Sequence, residues 1–379
     1  MSEKYPKIYL AMDNCALYKR FTQPDEWAGV IKGLGISYIE ASCDTELDPL
    51  YMGKEYLEKW AEDVQKAEKA HGVKVCNLYS GHGSYTTTGM AHDDEHARKN
   101  MTENFFFPLM DIAGRLDCGV GFFAHAFRHE ALNSFEDYKE KVNVLTGELA
   151  KVSRYAKSAG AGKIGIERMY TPHQYPWRNR DIEELLTNVK SITGNDFYFT
   201  EDVGHHHTRF LRPTEAEIEI FRAEGKKRGL WLGTDRAYCL FDAGADIKEI
   251  TEEMDKNPHL FSNPCDNDPY EALRLHGCFS PIIHLQQTNG TTSAHLPFTA
   301  EENAKGIIDP KRILTSIKES YEAHISPIPI QKCDKIYLTL EIFSSTTSII
   351  RDVLKDIKES ADYFRKYIPE DGIPLDELV

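Results

Sequence analysis

Hydrophobic positions along the chain follow two alternating patterns. Short runs rich in β-branched and aromatic residues read as strands. They are KIYLAMD (7–13), ISYIEAS (36–42), VKVCNLY (73–79), VGFFAHA (120–126), KIGIERM (163–169), FYFTEDV (197–203), LWLGTD (230–235), IIHLQQT (282–288) and KIYLTLEIF (335–343). Between them lie longer charged segments of helical period. PDEWAGVIKGLG (24–35) opens on proline and closes on glycine, a helix start and stop. YLEKWAEDVQKAEKAHG (56–72) ends the same way. The segment 134–160 begins with Ser134, and Asp137 follows three residues on, a loose capping-box signal. IEELLTNVKSITG (182–194), PTEAEIEIFRAEGKKRG (213–229) and TTSIIRDVLKDIKESADYFRKY (346–367) continue the series.

Strand and helix in alternation imply parallel strands joined by crossover helices. Eight such units close into an α/β fold of the (β/α)8 TIM-barrel type. The chain of 379 residues suits one such domain spanning 1–379, with an insertion at about 208–281 between strands six and seven. A doubly wound open sheet is the rival. It calls for a Gly-rich phosphate turn after the first strand, and AMDNCALYKRF has none. No Walker A pattern occurs. Nine strand candidates compete for eight places. Strand six ends either at Asp202 or, in LWLGTD, at Asp235.

Composition narrows the partners. Hydrophobic residues make up 41% and charged residues 28%, as in ordinary soluble proteins. A formal net charge of -15, from 45 Lys and Arg against 60 Asp and Glu, argues against a nucleic-acid partner. No run approaches the ~18 apolar residues of a membrane span, so no membrane partner is expected. No secretory signal is visible at the start of the chain. The eight cysteines form no C-x-x-C pair, and a reduced, cytoplasmic setting is expected.

Most strand runs carry a polar residue near the carboxyl end. These are Asp13 or Asn14, Glu40, Asn77, His125, Glu167, Glu201 with Asp202, His284 with Gln286 and Gln287, and Glu341. Barrel active sites lie on that face. Unpaired buried carboxylates are costly. Glu167 and Glu341 therefore share a cation or divide acid and base roles, or Glu167 simply pairs with its neighbour Arg168. In FYFTEDVGHHH (197–207), Asp202 ends the strand, Gly204 lets the chain turn sharply, and His205 returns over the pocket. His206 and His207 are rim residues or supports. His82 in SGHGSY and His125 in FFAHAF either touch substrate or are satisfied core histidines. His92 and His96 have helical i, i+4 spacing but lack the glutamate of H-E-x-x-H, and read as a solvated helix start. No G-x-S-x-G elbow is present.

These strand ends resemble those of the xylose isomerase-like TIM-barrel superfamily, the sugar and sugar-phosphate isomerases and epimerases related to tagatose and psicose 3-epimerases. The periodicity covers nearly the whole chain; the specific motifs cover four strand ends. IGIERMY offers Glu167, TEDVGH offers Asp202 and His205, IIHLQQTNG offers His284, and LTLEIF offers Glu341. The Asp-x-x-His spacing favours Asp202 over Asp235 as the end of strand six. The resemblance implies that Glu167, Asp202, His284 and Glu341 hold a divalent metal ion and that His205 contacts substrate. It also implies that the two glutamates act as acid and base on opposite faces of a ketose. Glu40 is a weaker match, to an acidic position on strand two. HLQQTNGTTSAHLPF (284–298) is similar to a run of tetrulose-phosphate 3-epimerases, with Asn289 where aspartate is expected. Its loop from Gly290 to Ser293 either offers backbone N–H groups to a phosphate or is an ordinary loop. Gln286 is a candidate substrate contact. The arginine that often follows the family's metal histidine has no clean match, and Arg236 or Arg274 are the stand-ins.

Carboxylate and imidazole ligands suit Mn²⁺, Mg²⁺, Co²⁺ or Zn²⁺. The function expected is 3-epimerisation of a ketose or ketose phosphate through a cis-enediolate. The alternatives are an aldose–ketose isomerase and a metal-dependent phosphodiesterase of the abasic-site endonuclease type. The latter would use His82, His125, His206 and His207. A third alternative is a non-catalytic sugar-binding barrel. A small-molecule sugar or sugar phosphate is the partner in view. The aromatic stretches ENFFFPL and GFFAHAF serve the core or a homo-oligomer face.

Overall fold

The nine apolar runs resolve into eight barrel strands and one helix start. The computed structural model describes residues 4–17, 20–226, 229–323 and 328–379. The strands are β1 (Lys7–Asp13), β2 (Tyr38–Ser42), β3 (Lys74–Ser80), β4 (Gly119–Phe122), β5 (Ile164–Glu167), β6 (Tyr198–Asp202), β7 (Ile282–Leu285) and β8 (Lys335–Leu340). Each pairs in parallel with the next, and β8 closes on β1 from Lys7↔Lys335 to Met12↔Leu340. β1 reaches β2 only from Ala11 onward. Its earlier edge, at Lys7 and Ile8, is covered by the short antiparallel β9 (Ile373–Pro374).

Helices fill the crossovers: α1 (Pro24–Gly33), α2 (Lys54–His71), α3 (Phe107–Leu116), α4 (Phe135–Ala159) and α5 (Asn179–Thr193). The β6-to-β7 connection, expected as an insertion, holds α6 (Glu215–Ala223), α7 (Asp235–Asp242), α8 (Ile247–Asp255) and α9 (Pro269–His276). α10 (Pro310–Glu322) and α11 (Ile350–Phe364) complete the ring. The cap read from sequence forms: the Asp137 N–H donates to the Ser134 hydroxyl at 3.2 Å. Gly160 then ends α4 in the left-handed region, where a side chain would be strained.

LWLGTD is not a strand. Thr234 accepts a hydrogen bond from the Ala237 N–H and so caps α7. Asp235 is consequently the first residue of a helix, exposed, with its carboxylate on His129 Nε2 at 3.0 Å. Asp202 ends β6.

Alternation along the strands sorts the acids. Adjacent strand residues face opposite sides. Glu167 and Asp202 point into the barrel, and Arg168 and Glu201 point out. The outward pair lies 3.8 Å apart, both fully buried. Arg168 also donates to Asn179 Oδ1 and to the Asp266 carbonyl. Arg168 is therefore not the partner of Glu167. No helix among the described residues is long and apolar enough to cross a membrane.

Candidate active site

Four inward side chains converge at the carboxyl ends of β5, β6, β7 and β8. Glu167, Asp202, His284 and Glu341 are all buried, and each offers a ligand atom within 4.8 Å of the others. β6 and β7 pair with Asp202 opposite His284, which places those two side by side. His284 is held from behind. Its Nε2 donates to Glu40 Oε2 at 2.7 Å, and Glu40 itself accepts from Asn77 at 2.5 Å. That fixes the tautomer and leaves His284 Nδ1 facing Glu167 Oε1 at 3.1 Å and Glu341 Oε2 at 3.3 Å. Glu341 Oε2 is buried without a hydrogen bond. Burial pushes the Asp202 carboxyl up to about 6, with His205 opposing and the nearby Glu341 and Glu167 charges adding to it. Three carboxylates and an imidazole nitrogen crowded together fit a divalent cation in chemistry and in number.

Glu40, expected to touch substrate, does not line the cavity; it orients the ring of His284. Carboxylate supports of this kind typically tune metal affinity by 10–100-fold. Glu40→Gln should accordingly weaken divalent-ion binding by about 10–100-fold. Titration calorimetry on the metal-free protein checks this, and an unaltered affinity would leave Glu40 a mere space-filler.

The cavity over the cluster has a volume of about 300 Å³. Its walls include Tyr79, His82, Tyr170, His205, His295 and Phe343. His205 Nδ1 donates to the Arg168 carbonyl at 2.7 Å, which turns Nε2 to within 3.1 Å of Asp202. Tyr79 hydrogen-bonds Glu167 Oε2 through its hydroxyl. Gly81 makes this possible, because a Cβ there would overlap the Tyr79 hydroxyl. Tyr79 was legible in principle, since it lies two residues after Asn77 on the same strand face. His295 was not. It sits on the loop after β7, stacks on Phe343 with ring centroids 3.7 Å apart, and brings Nδ1 to 3.3 Å from Glu341.

Gln286 anchors that loop. Its amide nitrogen donates to both Asp202 oxygens, at 3.0 and 2.8 Å. Its oxygen accepts from the Ala294 and His295 N–H groups. Fully buried, Gln286 positions the site and does not reach the cavity. The same residue explains Gly204. Gly204 is not in the left-handed region, and a Cβ on it would strike the Gln286 side chain. Close approach, and not a sharp turn, demands glycine here. The Gly290 and Thr291 N–H groups are taken by Thr288 Oγ1 and Asn289 Oδ1, so this loop offers a phosphate little.

The remaining candidates lie elsewhere. Arg236 is exposed and pairs with Glu253, and Arg274 pairs with Glu271 on α9. Neither is brought to the cluster. His206 spends both nitrogens, on Glu201 at 2.6 Å and on the Asp266 carbonyl at 2.8 Å, tying β6 to the segment before α9. His207 packs beside Tyr170 and Phe210. His125 is a core histidine, fully buried, donating to the Tyr175 carbonyl at 2.5 Å.

Burial pushes His125 down to about 4. The unfolded chain protonates it near 6.5, so falling pH favours unfolding from about 6.5 down to about 4. Its share of the loss at pH 5 is about 2 kcal/mol. Urea melts at pH 7 and pH 5 should show a steeper loss for the wild type than for His125→Gln. Equal losses would show that His125 is not the group involved.

The barrel and its acid-and-imidazole cluster together define the sugar isomerase and epimerase class of TIM barrel. Comparison places the chain within it. It is 32% identical over 364 residues to D-erythrulose 1-phosphate 3-epimerase of Brucella abortus (strain 2308), covering 95% of this chain and 96% of that protein. The fold matches a Rhodospirillum rubrum protein assigned as a xylose isomerase, with a TM-score of 0.66 at 17% identity over 95% of this chain and 99% of that one. It also matches L-ribulose 3-epimerase, with a TM-score of 0.55 at 15% identity over 96% and 93%. No family model matches the sequence. The chain belongs to the xylose isomerase-like superfamily of sugar isomerases and epimerases, and is an enzyme.

Proposed function

We propose that the protein epimerises a ketose or ketose phosphate at C3 through a cis-enediolate. The observation that carries this is the convergence of Glu167, Asp202, His284 and Glu341 from four consecutive strands. The likeness to a protein named for 3-epimerisation of D-erythrulose 1-phosphate supports it. Glu167, Asp202, His284 and Glu341 would hold a divalent cation, which when bound polarises the substrate carbonyl and offsets developing negative charge.

The chain's own residues do the rest. Glu167 ends β5, Glu341 follows β8, and both line the cavity. One carboxylate takes the C3 proton, and the other carboxylic acid returns a proton to the opposite face of the same carbon. Tyr79 holds one oxygen of Glu167, leaving the other turned to the cluster. Phe343, Met169 and Tyr170 wall the cavity with apolar surface and limit water.

A multi-metal phosphodiesterase is disfavoured by the same geometry. Two of the four histidines it would recruit are committed elsewhere, His125 to the Tyr175 carbonyl and His206 to Glu201 and the Asp266 carbonyl.

Proton NMR in D₂O with Mg²⁺-loaded protein tests the reading. Erythrulose 1-phosphate and a panel of ketoses are the substrates. Deuterium at C3 together with a new epimer is the expected result. Deuterium at C1 with an aldose product would make it an aldose–ketose isomerase. No exchange in metal-loaded protein would leave plain binding or hydrolysis.

A further inference from the structure

A second, larger compartment opens beside the catalytic cavity. Its volume is about 500 Å³, and Cys15, Thr22, Thr45, Gly83 and Ser344 line it. His82 and Phe343 form part of the wall of both spaces. We propose that the outer compartment takes the phosphate end of an acyclic ketose phosphate, and that His82 is the residue that recognises it. This rests on the epimerase reading above and names the substrate class for it.

The geometry of His82 carries the argument. Its Nε2 lies 3.0 Å from Asp13 Oδ2, and Asp13 is fully buried behind it. Its Nδ1 has no partner among the described residues. The ring is largely covered, packing edge-on against Tyr79 at 5.2 Å and Phe343 at 5.2 Å. Tyr79 in turn touches His284 at 4.9 Å and bonds Glu167. His82 thus borders both spaces, with the Tyr79 ring between it and His284. Burial opposes charge on His82, but the Asp13 carboxylate, joined by the charges of Glu341 and Asp44, raises the ring to about 9.

The alternatives within the site are worse for a dianion. The inner cavity ends on three carboxylates. The loop at 290–295 has spent most of its N–H groups on Thr288, Asn289 and Gln286. Of the hydroxyls lining the outer compartment, Ser344 and Thr45 donate to the Ala16 and Ser42 carbonyls, and Arg20 donates to Ser344 Oγ at 3.1 Å. Asp44 does line this space. Its oxygens are consumed by the Ser80 hydroxyl and the Gly81 and Gly83 N–H groups, bonds that pin the loop carrying His82.

His82→Gln tests the assignment, with kcat/KM measured on erythrulose 1-phosphate and on erythrulose. The ratio of the two constants should fall about tenfold or more, the usual loss for a hydrogen bond between charged groups. Inorganic phosphate should bind the wild type and protect it in thermal melts, and should protect His82→Gln far less. A ratio within twofold of wild type, with phosphate protection kept, would overturn the proposal, as would a fall in the ratio seen in Ser293→Ala but not in His82→Gln. If wild type exchanges no proton with either sugar, the epimerase reading fails, and the phosphate melts still decide the role of His82.

Discussion

Glu341→Gln should lower C3 proton exchange by about 10³-fold or more while the protein stays folded. Proton transfer by a positioned carboxylate typically contributes 10²–10⁴-fold, and Glu341 is asked to be a cation ligand as well. The substitution keeps the volume of a fully buried side chain, so packing around β8 is preserved. It removes the charge that both His284 Nδ1 and His295 Nδ1 approach at 3.3 Å. Circular dichroism and a thermal melt establish that the variant is folded, and deuterium incorporation measures the loss. Activity within tenfold of wild type would remove Glu341 from the chemistry.

Withdrawal of divalent ions should have an effect of similar size. Dialysis against a chelator is expected to abolish exchange, and one of Mn²⁺, Mg²⁺, Co²⁺ or Zn²⁺ should restore it. The melting temperature should move with it. An ion at 100 times its dissociation constant adds about 2.7 kcal/mol of stability, worth several degrees in a protein of this size. In the apo protein, burial and crowding among carboxylates push Asp202 up to about 6. Binding therefore competes with protons, and affinity should weaken as pH drops through 6. Full activity in chelator, verified by elemental analysis as metal-free, would show that the cluster works as a bare acid–base site.

The outline of this site is legible in the linear chain. Glu167, Asp202, His284 and Glu341 each end an apolar run, and a barrel collects its strand ends on one face. The helices with strong punctuation were also readable, since caps such as Ser134 and stops such as Gly160 are local chemistry. The false strand at 230–235 failed for a local reason as well. Its Gly-Thr-Asp end is a helix start, and an apolar run of that length does not separate a strand from a helix entry.

Roles within the site were another matter. Glu40 lies within β2 and Glu167 ends β5; both are buried strand acids, yet one orients a histidine from behind and the other faces the cavity. His82 and His125 both follow a strand, yet one lies on the wall between two cavities and the other is a neutral core residue. Strand period and cap chemistry involve neighbours a few residues apart, so the linear chain determines them. A buried polar group's role depends on which distant atom meets it, as His284 meets Glu40 from 244 residues away. Barrel closure and the loop fold-back through Gln286 create those meetings. Only the tertiary structure, by bringing a partner or an open cavity to each side chain, decides which acids and imidazoles remain free for chemistry.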